Sequence, residues 1–270
     1  MPELPEVETT RRGLAPSLRG RRMVAVQVRQ PRLRRPVPPD LGNRVGGKTI
    51  QGIERRGKYL LFSLDGGTLI VHLGMSGSLR LVRRATPEKH DHLILSLDDG
   101  RHLVLRDPRR FGTVLWWQGP VDEHPLLRDL GVEPLEREFD ADFLYRSTRS
   151  SRRPIKNLLM DQRLVAGIGN IYANEALFLA GVHPTRPADS LEREECDRLA
   201  TAIKTVLARA IDEGGTTLRD FVNDRGQPGY FQLTLGVYGR AGQPCPRCHT
   251  PIQRLTLGQR ATYFCHRCQK

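Results

Sequence analysis

The stretch that decides the C-terminal fold is Cys245-Pro246-Arg247-Cys248, followed after sixteen residues by Cys265-His266-Arg267-Cys268. Two Cys-x-x-Cys pairs at this spacing are typical of four thiolates around a tetrahedral Zn²⁺ ion. Two disulfides are the alternative, but a reducing compartment keeps thiols free. We therefore expect one structural Zn²⁺ on Cys245, Cys248, Cys265 and Cys268, with a β-hairpin formed by residues 251–257 and 260–264.

Upstream of this finger, helical patterns dominate from about residue 122 to residue 213, for example from Cys196 to Ile211. Cys196 lies within that helical run, and we expect an ordinary buried thiol there. A shorter helix is predicted from Ile155 to Asp161. Gly167-Ile168-Gly169-Asn170 opens the next helix, where free backbone N–H groups favour a phosphate. The third glycine and the preceding strand of a dinucleotide site are missing, so that kind of site is excluded.

Short β-type runs separated by turn residues fill roughly residues 20–118. Valines at 24, 26 and 28 alternate with polar residues, and the runs 59–64 and 68–73 flank Asp65-Gly66-Gly67. Further runs cover residues 93–97, 102–105 and 113–117. Repeated hairpins of this kind predict a β-sandwich or barrel. Together with the break near Gly119-Pro120, they predict three domains: 2–120, 121–236 and 237–270.

The N-terminus, Pro2-Glu3-Leu4-Pro5-Glu6-Val7-Glu8, precedes a helix predicted from Leu4 to about Leu18. Because residue 2 is small, we expect Met1 to be removed, which leaves Pro2 with a free secondary amine. An α-amino group has a pKa of roughly 8, against roughly 10.4 for lysine, so more of it is nucleophilic at neutral pH. Attack on a carbonyl or sugar carbon would give an iminium cation. The structural alternative is that both prolines and the glutamates simply favour a helix start.

Three other segments carry candidate functional residues. Lys58 lies in Arg55-Arg56-Gly57-Lys58-Tyr59-Leu60, at the entry to a strand, where a solvated basic edge is the alternative. Met75 lies between glycines, which is typical of a core plug or of an apolar loop tip. Asp107-Pro108-Arg109-Arg110-Phe111-Gly112 predicts a tight turn that presents two guanidinium groups and an aromatic ring; a salt-bridged surface turn is the alternative.

The composition indicates a polyanionic partner. The formal net charge is +13 and the sequence pI is about 10.1, which favours nucleic acid first and an anionic membrane surface second. No apolar run approaches the roughly 18 residues of a spanning helix, and the acidic, proline-containing N-terminus does not resemble a signal peptide. Aromatic residues make up only 6%, which disfavours an aromatic RNA-binding platform. A cytoplasmic protein that acts on nucleic acid at the nucleoid is expected.

Taken together, these segments resemble formamidopyrimidine-DNA glycosylase, and the resemblance runs in order from Pro2 to Lys270. The matching segments are Pro2 to Glu8, Arg56-Gly57-Lys58-Tyr59-Leu60-Leu61, His72 to Gly77, Lys89 to His92, Asp107 to Gly112, Gly167 to Glu175, and the zinc finger. The resemblance implies an α+β fold. It has an N-terminal β-sandwich flanked by helices and a C-terminal helix–two-turn–helix domain with a four-cysteine zinc-finger hairpin.

The resemblance also implies a bifunctional DNA glycosylase and lyase of base-excision repair. Pro2 would attack deoxyribose C1′ of a damaged nucleotide, and Glu3 would act as general acid and base. Lys58 would assist β-elimination. Arg260, at the finger tip, would be assigned to δ-elimination and phosphate binding. Since an arginine stays protonated in proteins, phosphate orientation is the role that its chemistry favours.

The implied partner is double-stranded DNA that contains oxidised bases or abasic sites, bound by a monomer. The target base must leave the stack, and by resemblance Met75, Arg109 and Phe111 fill the gap, with Arg109 pairing with the orphan cytosine. A cytosine partner fits an oxidised guanine. The other implied DNA contacts are His72, His90, Arg152, Lys156, Asn170 and Arg260. Glu6, Thr216, Thr217 and Tyr230 are the implied contacts to the everted base.

Two departures and two rival functions remain. Arg152 and Arg153 stand where the family often has lysines, and His249 stands where glycine is common. A sister enzyme resembling endonuclease VIII, which removes oxidised pyrimidines, shares the proline and the finger. The Pro-Glu-Leu-Pro-Glu start and the Arg109/Phe111 pair favour the purine enzyme. A non-enzymatic zinc-finger DNA-binding protein would leave Pro2, Glu3 and Lys58 without a role.

Overall fold

The computed structural model describes residues 2–84, 86–214 and 235–270, which divide into two compact units. The first unit extends to Arg128. The second begins at Asp129 and includes residues 235–270. The domain boundaries expected at residues 120 and 236 stay predictions.

The first unit is a two-sheet sandwich, which confirms the predicted fold class. Its elements are α1 (Leu4–Leu18), β1 (Met23–Val28), α2 (Leu41–Val45), β2 (Ile50–Arg56), β3 (Tyr59–Leu64), β4 (Gly67–His72), β5 (Ser78–Val82), β6 (Asp91–Leu97), β7 (His102–Arg106) and β8 (Thr113–Trp117). The strand orders are β1-β6-β7-β5 and β2-β3-β4-β8, and every pairing is antiparallel. Both sheets contribute leucines to one buried core, with α1 packed against it. The ends of these strands therefore set the positions of the loops that carry the candidate residues.

Helix α1 has the bounds that the sequence predicts. Pro5 lies in the first turn, and Leu4, Val7, Leu14 and Leu18 are buried. A proline fits the first helical turn because its missing N–H has no partner there in any case. The helix accommodates Pro16 in its last turn.

Strand β1 differs in detail from its prediction. A register shift lies between Met23 and Ala25 in its pairing with β6. Met23 is therefore buried, while Val24 is 49% exposed. A bulge of this kind changes which side chains face the core.

The second unit is helical and ends in the finger. Its elements are α3 (Ala141–Arg149), α4 (Ile155–Leu159), α5 (Asn170–Ala180), α6 (Arg193–Asp212), β9 (Gln253–Leu257) and β10 (Arg260–Phe264). Helices α3, α5 and α6 share one apolar core, in which Cys196 is fully buried as predicted. Within the described parts of the chain, no helix is long and apolar enough to cross a membrane.

Candidate functional site

The start of α1 fixes the surroundings of Pro2 and Glu3. Glu3 is the N-cap residue, and its N–H donates to Oε2 of Glu6 at 2.8 Å. Glu3 is only 1% exposed and Glu6 is fully buried. The positive end of the helix dipole stabilises carboxylates at this position. The start of α1 therefore holds two buried carboxylates next to Pro2 in the chain.

Lys58 lies in the two-residue turn between β2 and β3, because the residues on either side of Gly57-Lys58 pair with each other. Gly57 has a φ of 55°, and glycine at the first turn position is typical of a type II′ hairpin. Arg55 donates to the carbonyl of Gly57 at 3.0 Å and to Oε2 of Glu8 at 3.3 Å. Arg55 therefore joins α1, which carries Glu8, to the turn that carries Lys58.

His72 ends β4, opposite Tyr59 of β3. Its Nδ1 accepts the N–H of Gly74 at 3.0 Å, so the proton of the neutral ring lies on Nε2. Burial lowers the pKa of His72 to about 4, with smaller contributions from the positive charges of Lys58 and Arg34. At neutral pH His72 is an uncharged donor through Nε2.

Two loops carry Met75, Arg109 and Phe111, which we call the loop-tip cluster. One loop joins β4 to β5, and the other joins β7 to β8. Met75 is 37% exposed and Phe111 is 40% exposed, although most large apolar side chains of the sandwich are buried. The guanidinium carbon of Arg109 lies 4.8 Å from the ring centroid of Phe111. The predicted grouping of a cation and an aromatic ring at this turn is therefore present.

Asp107 organises this turn, a role that the sequence analysis missed. It is fully buried, and its carboxylate accepts the Ser76 hydroxyl at 2.9 Å and the Gly112 N–H at 2.7 Å. An aspartate directly before a proline is a turn signal, because its carboxylate bonds nearby backbone N–H groups. The bond to Ser76 joins residues 31 positions apart, and no local pattern reveals it.

His90 lies on the segment that precedes β6, where it is half-buried. Its ring centroid is 6.3 Å from that of His92, and Nε2 of His92 lies 2.8 Å from the carbonyl oxygen of Asp107. His92 therefore ties this segment to the Asp107 turn.

In the second unit, Lys156 and Asn170 both bond to the finger. Nζ of Lys156 donates to Oγ1 of Thr262 at 2.7 Å and to the carbonyl of Ala261 at 3.3 Å. Nδ2 of Asn170 donates to the same carbonyl at 3.0 Å. Lys156 is fully buried, so the structure places its ammonium group against β10. The phosphate contacts expected of Lys156 and Asn170 stay predictions.

Arg260 begins β10 at the exposed tip of the finger. The turn before it has positive φ values at Gly258, 55°, and at Gln259, 61°. Two positive values are typical of a type I′ hairpin turn, in which a non-glycine residue at the second position is strained. Arg152 lies elsewhere, with a side chain 93% exposed and its Nε 3.5 Å from a carboxylate oxygen of Asp189.

The four predicted cysteines converge on one point. Their ligand atoms lie within 4.8 Å of one another, with Sγ–Sγ distances of 3.9 Å for Cys245–Cys268 and 3.4 Å for Cys248–Cys265. Sulfurs around a tetrahedral Zn²⁺ with Zn–S bonds of about 2.3 Å lie about 3.8 Å apart. The cluster therefore fits one structural Zn²⁺. His249, beside it, has a φ of 61°, which explains why glycine suits this position.

The finger is packed on α5. Phe178 of that helix joins Val237 and Ile252 in a small buried core around the cysteines. Both oxygens of the Glu175 carboxylate accept backbone N–H groups of residues 236–238, at 2.7 to 3.0 Å. The entry to the finger is thus fixed. The remaining candidates, Thr216, Thr217 and Tyr230, lie outside the described residues.

Three family models match the chain in order. They are the formamidopyrimidine-DNA glycosylase N-terminal domain at residues 1–114, the H2TH domain of the same glycosylase at residues 130–222, and a zinc finger found in FPG and IleRS at residues 242–270.

Among curated proteins, the chain is similar to formamidopyrimidine-DNA glycosylases. It is 57% identical to that of Thioalkalivibrio sulfidiphilus and 55% identical to that of Methylococcus capsulatus, over the full length of each chain. Among solved structures, it is similar to MutM (FPG) of Thermus thermophilus, with 45% identity and a TM-score of 0.88, over 99% of this chain and 98% of that one. It is also similar to Lactococcus lactis Fpg bound to DNA with an abasic site, with 38% identity and a TM-score of 0.89, over 99% of both chains. A mutant of the Lactococcus lactis enzyme bound to Fapy-dG-containing DNA is 38% identical, with a TM-score of 0.91 over both complete chains.

Proposed function

The chain belongs to the formamidopyrimidine-DNA glycosylase family of DNA glycosylases with abasic-site lyase activity, and on this basis we propose that it excises oxidised purines from duplex DNA through Pro2. The proposed substrates are formamidopyrimidines and 8-oxoguanine opposite cytosine. The observation that carries the proposal is the position of Pro2, directly before a helix start that holds Glu3 and Glu6 buried.

The proposed first step is attack of the Pro2 nitrogen on deoxyribose C1′. The C1′–N bond to the damaged base breaks, the base leaves with a proton, and the sugar ring opens to an iminium on Pro2. Glu3 supplies and removes the protons around ring opening. Removal of Met1 is required, because an acylated proline nitrogen has no free electron pair.

The proposed second stage is elimination of the strand. Lys58 assists removal of the C2′ proton and loss of the 3′ phosphate, from a turn that Arg55 ties to α1. Arg260 orients the phosphate for δ-elimination. Its exposed position at the hairpin tip supports a phosphate contact, and its permanent charge disfavours a role as proton donor.

For recognition, we propose that the loop-tip cluster fills the gap left by the everted nucleotide. Met75 occupies the space of the base, Phe111 wedges the step and Arg109 pairs with the orphan cytosine. Exposed apolar side chains beside a guanidinium support this role, since apolar wedges partly unstack neighbouring bases. The proposed backbone contacts are His72, His90, Arg152, Lys156 and Asn170. Those proposed for the everted base are Glu6, Thr216, Thr217 and Tyr230.

The test is borohydride trapping on duplex DNA with 8-oxoguanine opposite cytosine, followed by mass mapping of the adduct. A cross-link at Pro2 is expected, together with an intact mass that lacks Met1. A cross-link at a lysine would move the nucleophile, and full retention of Met1 in trappable enzyme would refute the proline mechanism.

A lesion panel addresses the rival function. It includes an oxidised pyrimidine, because Lactococcus lactis Fpg has been crystallised with oxidised-pyrimidine DNA. Preference for the pyrimidine would favour the sister activity. We further propose that the enzyme acts as a monomer on DNA of the nucleoid, which gel filtration of the DNA complex would check.

A further inference from the structure

We infer that Ser76 and Asp107 are positioning residues that lock the loop-tip cluster into one unit, and that this lock sets discrimination for the base opposite the lesion. The inference rests on the proposed function. It concerns two residues that the proposed chemistry does not use, and neither needs to touch DNA.

The hydrogen bonds converge on a single carboxylate. Oδ1 of Asp107 accepts the Ser76 hydroxyl at 2.9 Å, and Oδ2 accepts the Gly112 N–H at 2.7 Å. The hydroxyl oxygen of Ser76 in turn accepts the backbone N–H of Arg109 at 3.3 Å. This series of hydrogen bonds, Arg109–Ser76–Asp107–Gly112, thus runs from the β7–β8 loop to the β4–β5 loop and back.

The two backbones also touch, which prevents the loops from moving closer together and leaves the hydrogen bonds to prevent their separation. A Cβ atom on Gly74 would lie 2.4 Å from the carbonyl carbon of Phe111 and 2.6 Å from the nitrogen of Gly112. Within the loop of Met75 itself, a Cβ on Gly77 would lie 2.1 Å from the carbonyl oxygen of Leu73, so this loop is tightly folded. Met75 therefore rests on a loop that is held directly against the loop of Phe111.

The charge of Asp107 argues for this internal role. An exposed carboxylate at a DNA-binding surface repels phosphate, whereas this one is fully buried and aimed at two donors. Its backbone is fixed as well, because the carbonyl accepts the Arg110 N–H at 3.1 Å and lies 2.8 Å from Nε2 of His92. Asp107 therefore stabilises the turn that carries Arg109 and Phe111. Through its bond to Asp107, Ser76 connects that turn to the loop that carries Met75.

The functional consequence follows from geometry. Reading a base edge requires a guanidinium held in a defined direction, and the Arg109 group already stacks 4.8 Å from the Phe111 ring. When the Ser76–Asp107 bond is removed, Met75 and Arg109 are no longer held in a fixed position relative to each other. The preference for excision opposite cytosine over excision opposite adenine is then reduced. Schiff-base formation at an abasic sugar that is already outside the helix does not require this fixed arrangement of Met75 and Arg109.

The experiment compares Ser76→Ala with Ser76→Thr, which keeps the hydroxyl, and with Ser96→Ala. Ser96 is the matched control, because its hydroxyl bonds Nδ1 of His102 at 3.0 Å elsewhere in the sandwich. Asp107→Asn is the second variant, since an amide accepts only one of the two bonds. Three readouts are taken. They are excision of 8-oxoguanine opposite cytosine and opposite adenine, borohydride trapping on single-stranded abasic DNA, and fluorescence of 2-aminopurine opposite a stable abasic analogue, which reports insertion without catalysis.

For Ser76→Ala we expect the cytosine-to-adenine ratio to fall about tenfold, the effect of one lost hydrogen bond. We also expect weaker 2-aminopurine fluorescence and unchanged abasic trapping. Ser76→Thr and Ser96→Ala keep wild-type values, and Asp107→Asn resembles Ser76→Ala or exceeds it. An unchanged ratio and fluorescence in Ser76→Ala overturn the inference, as does an equal loss of abasic trapping, which would indicate general damage. Wild-type protein that neither excises nor traps refutes the proposed function, while the fluorescence comparison still decides the positioning role.

Discussion

Close packing between the two loops of the loop-tip cluster leaves no space for a Cβ atom at Gly74. Its φ is +68°, and an added Cβ would meet backbone atoms of the neighbouring loop at 2.4 to 2.6 Å. Gly74→Ala is expected to lower the free energy of unfolding by about 3 kcal/mol or more, because strain at positive φ of about 1–2 kcal/mol adds to a clash with immobile backbone. Urea unfolding followed by circular dichroism measures the change.

Gly100 provides the matched control for Gly74. Its φ is +81°, but nothing lies within 4 Å of an added Cβ. Gly100→Ala should therefore show the φ strain alone, about 1–2 kcal/mol. Equal losses at the two positions would mean that the loops can separate at no cost.

His72 makes stability depend on pH in a predictable direction. Burial, aided by Lys58 and Arg34, lowers its pKa to about 4, whereas the unfolded chain titrates near 6.5. Between these values the unfolded state binds more protons, so the free energy of unfolding falls as the pH drops from 6.5 toward 4. Allowing for solvent screening, the contribution is of the order of 1–3 kcal/mol.

The variant His72→Asn isolates that effect, because the asparagine oxygen can accept the Gly74 N–H and does not titrate. The wild type should lose more stability than this variant between pH 6.5 and 4.5 in urea titrations. Parallel curves for the two proteins would show that His72 binds its proton normally in the folded state.

At this scale, the sequence could predict the four cysteines, because their spacing is a local pattern. The roles of Pro2, Met75 and Arg109 stay predictions. The sequence could not predict Ser76 with Asp107, or Glu8 with Arg55. These pairs are separated by 31 and 47 positions and meet only after the strands have paired. A positioning residue has no chemistry of its own to reveal it.

Among the elements, α1 is fixed to the β2–β3 hairpin through Glu8. Burial alone would raise the pKa of Glu8, but hydrogen bonds from Arg11 and Arg12 and the charges of Arg11 and Arg55 outweigh it, and the pKa is lowered. Glu8→Gln should lower the free energy of unfolding by about 1–2 kcal/mol at pH 7, because it removes a negative charge that accepts hydrogen bonds from Arg11 and from Arg55, whose side chain is only 11% exposed. Since the folded pKa is depressed, the gap to the wild type should close as the pH falls below about 4.5.

Asp40→Asn is the comparison for Glu8→Gln. The Asp40–Arg44 pair at 2.7 Å also joins residues of opposite charge, but both side chains are more than 40% exposed. Exposed pairs contribute about 0–1 kcal/mol, so this variant should change little. Thermal or urea unfolding of both variants gives the ranking, and a larger loss at Asp40 would contradict it.

We expect the stability of the zinc finger to depend on its bound Zn²⁺. Among the described residues, the buried cluster around the cysteines consists of Val237, Ile252 and two cysteines with Phe178 of α5, too little to offset chain entropy without Zn²⁺. Cys265→Ser or chelation should unfold β9 and β10 and weaken DNA binding, while the sandwich keeps its amide protection. Hydrogen exchange and zinc analysis measure this, with Cys196→Ala as the control that retains one Zn²⁺ per chain. Persistent protection of the hairpin without metal would contradict it.

Elements with strong end signals were predicted closely. Helix α1 and the strands Tyr59–Leu64 and Thr113–Trp117 have the expected bounds, and the two finger strands follow the expected hairpin. Strands β2 and β5 were not predicted. The first contains Gly52 and three charged residues, so its strand conformation depends on pairing with β3. The second alternates polar and apolar residues from Ser78 to Leu81, a signal that could have identified it.

The excess positive charge of the whole molecule gives the last prediction. A formal net charge of +13 attracts any polyanion, and phosphate contacts release counterions, so the logarithm of the binding constant should fall by about 0.9 per contact for each unit of log salt. Arg152→Ala should reduce that slope by about one on undamaged duplex DNA, because its side chain is 93% exposed and is proposed to bind phosphate. Arg44→Ala, which removes an arginine paired with Asp40, should leave the slope unchanged. Anisotropy titrations between about 50 and 200 mM salt measure both. Equal slopes in the wild type and both variants would show that Arg152 does not contact phosphate. Equally tight binding to anionic vesicles would show that the positive charge alone, without recognition of the duplex, accounts for the attraction.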